Sequence, residues 1–387
     1  MARKEKRFLE YVAVTILLTF IVVLTGLDVN AGPLKVLPKQ MAWSCYDIGG
    51  TGYTQASAIA NAMTNKFNVK VRLLPSGTSM GRLFPVVNRK VELGFLASEV
   101  YSSVQGIDDF SVYEWGPQDL RVLLAKPNAW GIATTKTSKI KTLSDLKGKR
   151  LSYVAASSSL STKWDAALAF AGLTWDDVER VDFPSFGAAV SALKEGKSDA
   201  AVVSASTTLL YELETTPKGL YWPEFPASNE KGWQRMLKII PYFEPYKETS
   251  GAGMSKENPK QLVGYRFPMI TVRADYDAGK AYAIVKAIDE SFDLFEKATS
   301  VMPLWNINIS GHGPTEAPFH EGAVQYLKEK GVWTAQDESW NNKYIKSMKK
   351  LQEVWDTTLE EAQKQKIKAN KFSGFWLERR KDALVGY

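Results

Sequence analysis

Cysteine and histidine are almost missing from this chain. Among its 387 residues there is one cysteine, Cys45, and there are two histidines, His312 and His320. A single cysteine forms no intrachain disulfide, whatever the redox state of its compartment; its apolar neighbours mark a buried strand thiol. Three such side chains, far apart in sequence, are too few for a tetrahedral zinc site. Both histidines lie in "SGHGPTEAPFHEG", and no Gly-x-Ser-x-Gly elbow accompanies them, so a serine hydrolase with a histidine base lacks its parts. His320 precedes a helical pattern and reads as a cap or packing residue. In "GGTGYT" (Gly49 to Thr54), Gln55 stands where a dinucleotide fingerprint needs its third glycine, and no Walker lysine follows. The expectation is a protein that is not an enzyme and carries no cofactor.

Charge of one sign is also scarce in any one place. The formal net charge is +7, but Lys and Arg are interleaved with Asp and Glu, and no basic stripe suited to nucleic acid stands out. Long apolar runs are confined to Tyr11 to Leu27. Arg3, Lys4, Lys6 and Arg7 precede that run, and Val29-Asn30-Ala31 follows it as a small-residue cleavage pattern. Residues 1–31 therefore read as a signal peptide, with an uncleaved anchor as the other reading, because a spanning helix needs about 20 residues. The mature protein is expected in the periplasm as a soluble monomer.

What remains is an ordinary globular composition, 45% hydrophobic and 24% charged, in a chain long enough for two domains. From Ala42 to Leu96 the pattern runs strand, loop, helix, strand, loop, helix, strand. Ala56, Ile59, Ala60, Met63 and Phe67 recur at helical spacing, while Val69, Val71 and Leu73 alternate as in a strand. Two βα units in so short a stretch imply a parallel sheet. The same grammar restarts after "LRVLLAKPNAWGIATT", which predicts a second α/β unit with its own sheet, joined to the first near Leu124 to Trp130. The predicted division is lobe 1 from 32–126 and 240–334, lobe 2 from 127–239, and a helical extension over 335–387 packed on lobe 1. Trp340, Tyr344, Met348, Leu351 and Trp355 give that extension an apolar stripe at spacings of three and four.

Five polar loops fall at the carboxyl ends of predicted parallel strands, where open sheets bind ligands and helix amides favour negative charge. They are "GGTGYT", "SGTS" (Ser76, Gly77, Thr78, Ser79), "SE" (Ser98, Glu99), "SSSLS" (Ser157, Ser158, Ser159, Ser161) and "SAST" (Ser204, Ser206). Any one serine is as well explained as a helix cap. Five at corresponding places predict a cleft between the lobes.

The stretches "DIGGTGYTQASAIANAM", "SGTSMGRLFPVVNRKVELGFLASEV", "LSDLKGKRLSYVAASSSLSTKWDAALAFAGLTWDDV", "FGAAVSALKEGKSDAAVV" and "PFHEGAVQYLKEKGVW" resemble, in order and spacing, the TAXI-type solute receptors of TRAP transporters. The resemblance covers roughly Ala42 to Trp333. It implies an α/β, two-lobed periplasmic binding protein of the type II, Venus-flytrap kind, delivering a small organic anion such as a dicarboxylate, 2-oxoacid or glutamate-like compound to integral TRAP permease subunits. By position it assigns Gly50, Thr51, Gly52, Tyr53, Ser76, Gly77, Thr78, Ser79, Ser98, Ser157 to Ser161 and Ser204 to Ser206 to the ligand cleft. Two residues depart from the pattern. Arg82 stands where an Asn is usual and reads equally as a bidentate carboxylate clamp or as an exposed helix arginine, and Trp130 replaces a smaller or polar group and offers a ring. The alternatives are a receptor for a larger aromatic carboxylate and a ligand-binding sensory module.

Overall fold

The computed structural model describes residues 36–383, so the expected signal peptide at 1–31 lies outside the described residues. The first βα units form as their periodicity demands. Strand β1 (Gln40–Tyr46) leads into helix Thr51–Phe67, β2 (Lys70–Ser76) into helix Ser79–Val87, and β3 (Leu93–Leu96) into helix Glu99–Gln105. Strands β2 and β3 both pair with β1 in parallel. After the long strand β4 (Leu120–Thr135) the motif repeats: β5 (Arg150–Tyr153), helix Ser158–Ala171, β6 (Glu179–Asp182), helix Phe186–Glu195 and β7 (Ala200–Ser204). Short β8 (Leu220–Tyr221) pairs with β4, β9 (Glu244–Glu248) with β10, and β10 (Lys260–Arg273) is the second long strand.

The order β2-β1-β3-β10-β4-β7-β5-β6 is one continuous path, where two separate sheets were expected. The reason is that β4 and β10 pair antiparallel over most of their lengths, from Val263 opposite Trp130 to Arg273 opposite Leu120. Their register slips between Arg266 and Met269, which bends the ladder where one lobe gives way to the other. On each side a first strand (β1 or β5) sits between its two parallel neighbours, and an antiparallel strand closes the set. This repeated arrangement is the two-lobed type II periplasmic-binding-protein fold.

Packing separates the lobes. One core gathers Trp43, Phe95, Leu124 and Ile270 with Ile284 and Phe319. Another gathers Trp130, Leu151, Trp164 and Phe170 with Ile240, Phe243, Val263 and Tyr265. The return of the chain to lobe 1 was expected at 240. Instead 240–267 packs with the second lobe, because "PYFEPYKE" supplies β9, which pairs along Lys260–Gly264 of β10. Cys45 is fully buried, and burial pushes its thiol up to about 12, so it is an inert packing group.

Residues 335–383 form two helices, Ala335–Lys364 and Ala369–Ala383. Trp340, Tyr344 and Met348 join the lobe 1 core, while Leu351 and Trp355 pack with Phe372 and Trp376. Gly116, at φ +69°, brings the chain so close that a Cβ there would meet the Trp355 ring at 2.2 Å. Trp376 is fully buried and its indole N–H donates to the Gly106 carbonyl at 2.5 Å. Trp376→Ala should cost about 3–5 kcal/mol, read as a lower urea midpoint, with hydrogen exchange rising first in 369–383 and in the 99–119 segment beneath it.

Candidate functional site

The polar loops converge between the lobes. Gly50 caps helix Thr51–Phe67 in an extended conformation with no side-chain cap, and Tyr46, at the end of β1, lies across the turn. A Cβ on Gly52 would fall 2.2 Å from the Tyr46 ring, so only glycine lets that ring lie there. Across the cleft, a Cβ on Gly77 would meet Ser185 at 2.6 Å; the two lobes touch at this loop.

Hydrogen bonds link the loops from opposite lobes. The hydroxyls of Ser79 and Ser157 are 3.0 Å apart, and the Ser159 amide donates to the Ser79 hydroxyl at 3.3 Å. The Phe186 amide donates to the Gly77 carbonyl at 3.2 Å, and the Thr208 hydroxyl to the Gly49 carbonyl. Lys163, on helix Ser158–Ala171, donates to the Ser98 hydroxyl at 2.8 Å, and within its own helix to the Ser159 carbonyl and hydroxyl at 2.9 and 3.0 Å. At the lobe crossing, the Asn128 amide donates to the Ser204 hydroxyl at 2.8 Å, and Ser206 lies 3.0 Å beyond.

Two buried cations, Arg82 and Lys163, line the cavity between these loops. Arg82 donates through Nε and Nη2 to Glu99 Oε1 at 3.2 and 2.9 Å, through Nη1 to the Ser76 carbonyl at 3.2 Å, and to the Ser79 hydroxyl at 3.3 Å. Its guanidinium also lies over the Tyr46 ring at 3.9 Å. The sequence offered two readings of Arg82, a free carboxylate clamp or an exposed helix arginine. The structure shows neither, because Glu99 from the neighbouring helix already occupies the fork. Lys163 has no ion-pair partner among the described residues. Burial drives its ammonium from the ordinary 10.5 down to about 7, against the pull of Glu99 and Glu316. Burial also lowers Lys126 to about 7 and raises Glu316 from 4.5 to about 7.

A cavity of about 40 Å³ lies at the centre of this arrangement. Of the sequence candidates, Gly50, Thr51, Gly52, Gly77, Arg82, Trp130, Ser157, Ser159 and Ser204 line it. Ser79, Ser98, Glu99 and Ser206 stand one bond behind. The Ser76 hydroxyl contacts Thr78, Thr78 caps helix Ser79–Val87, and Ser161 bonds back into its own helix. Ser158 is buried away from the lining. Tyr53 falls outside: it lines a surface groove with Leu294 and Phe295, because it lies on the outer side of its helix. Trp130 packs edge-on to Phe225 and tilted against Phe243, and its indole N–H has no partner.

Thr207, the last residue of the "SAST" loop, is on the wall as well, while sequence reasoning missed Lys163, Tyr46, Phe186, Tyr265 and Phe267. Lys163 did leave a trace, since it is in register with the stripe Ser159, Ala166 and Phe170 that helix Ser158–Ala171 buries. A lysine on an apolar stripe must find polar partners. Tyr265 and Phe267 share one face of β10 two residues apart, and their rings stack at 5.5 Å.

Helix Glu99–Gln105 connects this site to the C-terminal helices. Its first residue holds Arg82, while at the other end Gln105 accepts from Arg380 at 2.7 Å through both its carbonyl and its side-chain oxygen. Tyr344 donates to the Glu316 carbonyl at 2.8 Å.

A two-lobed sheet with a small, partly open cavity between its lobes is the construction of a periplasmic solute-binding protein. The chain belongs to the NMT1-like family, whose model matches residues 47–331. No curated protein matches it. Similar solved structures include the alkanesulfonate-binding protein SsuA from Xanthomonas axonopodis pv. citri bound to MOPS, at 15% identity over 76% of this chain and 84% of that one, with a TM-score of 0.43. A periplasmic binding protein from Brucella ovis with glutathione bound is 12% identical over 64% and 66%, with a TM-score of 0.42. The GluR0 ligand-binding core from Nostoc punctiforme in complex with glutamate is 12% identical over 66% and 98%, with a TM-score of 0.40.

Removing one partner of the Arg82–Glu99 pair strands a buried charge, so Arg82→Met should cost about 3–5 kcal/mol in denaturant titrations. The buried titrating groups also set a pH profile. Between pH 7 and 10.5 the unfolded chain holds protons that folded Lys163 and Lys126 do not, so their contribution to stability rises with pH. Between pH 4.5 and 7 folded Glu316 holds a proton that the unfolded chain has lost, so its contribution falls. Urea titrations across roughly pH 5 to 9 should find that Lys163→Met flattens the upper arm of this profile.

Proposed function

We propose that the protein is an extracytoplasmic receptor that captures an organic anion with an apolar body between its lobes and hands it to a membrane transporter. One observation carries the reading: the charged side chains lining the cavity are Arg82 and Lys163, with no carboxylate among the described lining residues. A wall with that balance favours an anion, and the hydroxyls of Thr51, Ser157, Ser159 and Ser204 supply neutral donors beside it. Trp130, Phe186, Tyr265 and Phe267 on the same wall support a larger, aromatic or branched carboxylate over a bare dicarboxylate.

Capture works by hinge closure. Ligand pockets usually measure about 300–1,000 Å³, far more than this cavity, so a solute enters only when the lobes part. The serine contacts from lobe to lobe are the groups it displaces or bridges on closing, and its binding energy shifts the population to the closed form. The strands β4 and β10 are the hinge. Resemblance to the TAXI receptors supports a sodium-coupled TRAP-type permease as the recipient and a periplasmic location reached through the N-terminal leader.

A thermal-shift panel tests the ligand class, because a solute that binds only the folded form raises the melting temperature. Phenylacetate, benzoate and branched 2-oxoacids should stabilise more than succinate or acetate, while amines and neutral sugars should not. A hundredfold excess over Kd corresponds to about 2.7 kcal/mol. Stabilisation by the amines or sugars and by none of the acids would overturn the reading.

A further inference from the structure

The two cations of the cavity wall are not equivalent. Arg82 spends its guanidinium on Glu99, the Ser76 carbonyl and the Ser79 hydroxyl, so its charge is compensated before any solute arrives. The Lys163 amine is held by neutral oxygens only: the Ser98 hydroxyl from lobe 1, and the carbonyl and hydroxyl of Ser159 from lobe 2. It lines the cavity, is 2% exposed, and lies 4.8 Å from the Tyr265 ring centroid. Resting on the receptor reading, we propose that Lys163 is the residue that reads the charge of the solute, and that an anion binds together with a proton taken up at its amine.

The geometry carries this in two ways. An ammonium buried among neutral oxygens lacks a counter-charge, and an incoming carboxylate supplies it at short range in a medium of low dielectric. Lys163 also spans the cleft, so its bond to Ser98 exists only when the lobes are together. Charge and closure are thereby read by one side chain. Burial drives the amine down to about 7, so near neutrality much of it is unprotonated before binding and is protonated beside the anion. The other titratable and charged groups facing it are Arg82 and Glu99 on the lobe 1 helices, Tyr46 at the end of β1, Tyr265 on β10, and Glu316 with its neighbour Arg266. The phenols of Tyr46 and Tyr265 are raised by burial and stay neutral. Glu316 also titrates near 7, and so does Lys126, which reaches the wall through Asn128 and Ser204, so these two are the competing sources of the proton.

Calorimetry on the full chain with phenylacetate and 2-oxoisocaproate separates these sources. Triethanolamine and Tris are both cationic and do not compete for the site, and they differ in ionisation enthalpy. Near pH 7.5 the two should report uptake of a sizeable fraction of one proton, and affinity should be about tenfold weaker at pH 8 than at pH 6, the linkage expected for a group titrating at about 7. Lys163→Arg keeps the charge and should bind with no proton uptake. Lys163→Met should lose at least tenfold in affinity at pH 6 while keeping the wild-type circular dichroism spectrum. Binding without buffer-dependent heat overturns the proton coupling and leaves the receptor reading standing. Uptake that persists in Lys163→Arg belongs to Glu316 or Lys126 and overturns the assignment. Failure of both acids to bind at either pH overturns the receptor reading for this class of anion, and the coupling with it.

Discussion

Two long strands belong to both lobes, and the rest of the structure depends on that sharing. β4 and β10 run antiparallel through the whole sheet, so neither lobe has a complete sheet without them. They pair on both sides of the crossing, and the ladder is interrupted by the register slip between Arg266 and Met269. Every polar loop of the site hangs from the end of a strand that this pair orders. β3 pairs with β10 on one side and β7 with β4 on the other, which brings Ser98 and Ser204 to the same cleft.

Burying charge in that cleft creates the second constraint. Arg82 is tolerated because Glu99 meets it at 2.9 Å with both side chains almost fully enclosed. Lys163 is tolerated because three neutral oxygens satisfy it and because it sheds its proton readily. The difference between a compensated and an uncompensated cation is what makes one of them structural and the other responsive. The extension at the C-terminus reinforces the structural one, since it fixes the far end of the helix that presents Glu99.

Much of this arrangement was legible in the chain. The alternation of Val69, Val71 and Leu73 and the helical spacing of Ala56, Ile59 and Met63 gave the βα units, because period and burial are local properties. The polar loops were legible for the same reason: hydroxyl and glycine residues follow each buried strand. Tyr53 was assigned to the cleft wrongly, since adjacency to a glycine turn does not specify which side of the next helix turn faces the cavity. Residues 240–267 were assigned to the wrong lobe because "PYFEPYKE" has no clean periodicity of its own. It becomes a strand by pairing with β10.

By itself, then, the sequence determined the two βαβ sets, the glycine and serine loops at their strand ends, and the buried inertness of Cys45, all of which follow from spacing within a few residues. Tertiary structure alone decided that Glu99 would neutralise Arg82, that Lys163 would meet Ser98 from the opposite lobe, and that Tyr265 and Phe267 would wall the cavity. Those partners are separated by 17, 65 and more residues, and no local pattern encodes which cation will find its counter-charge when the lobes close.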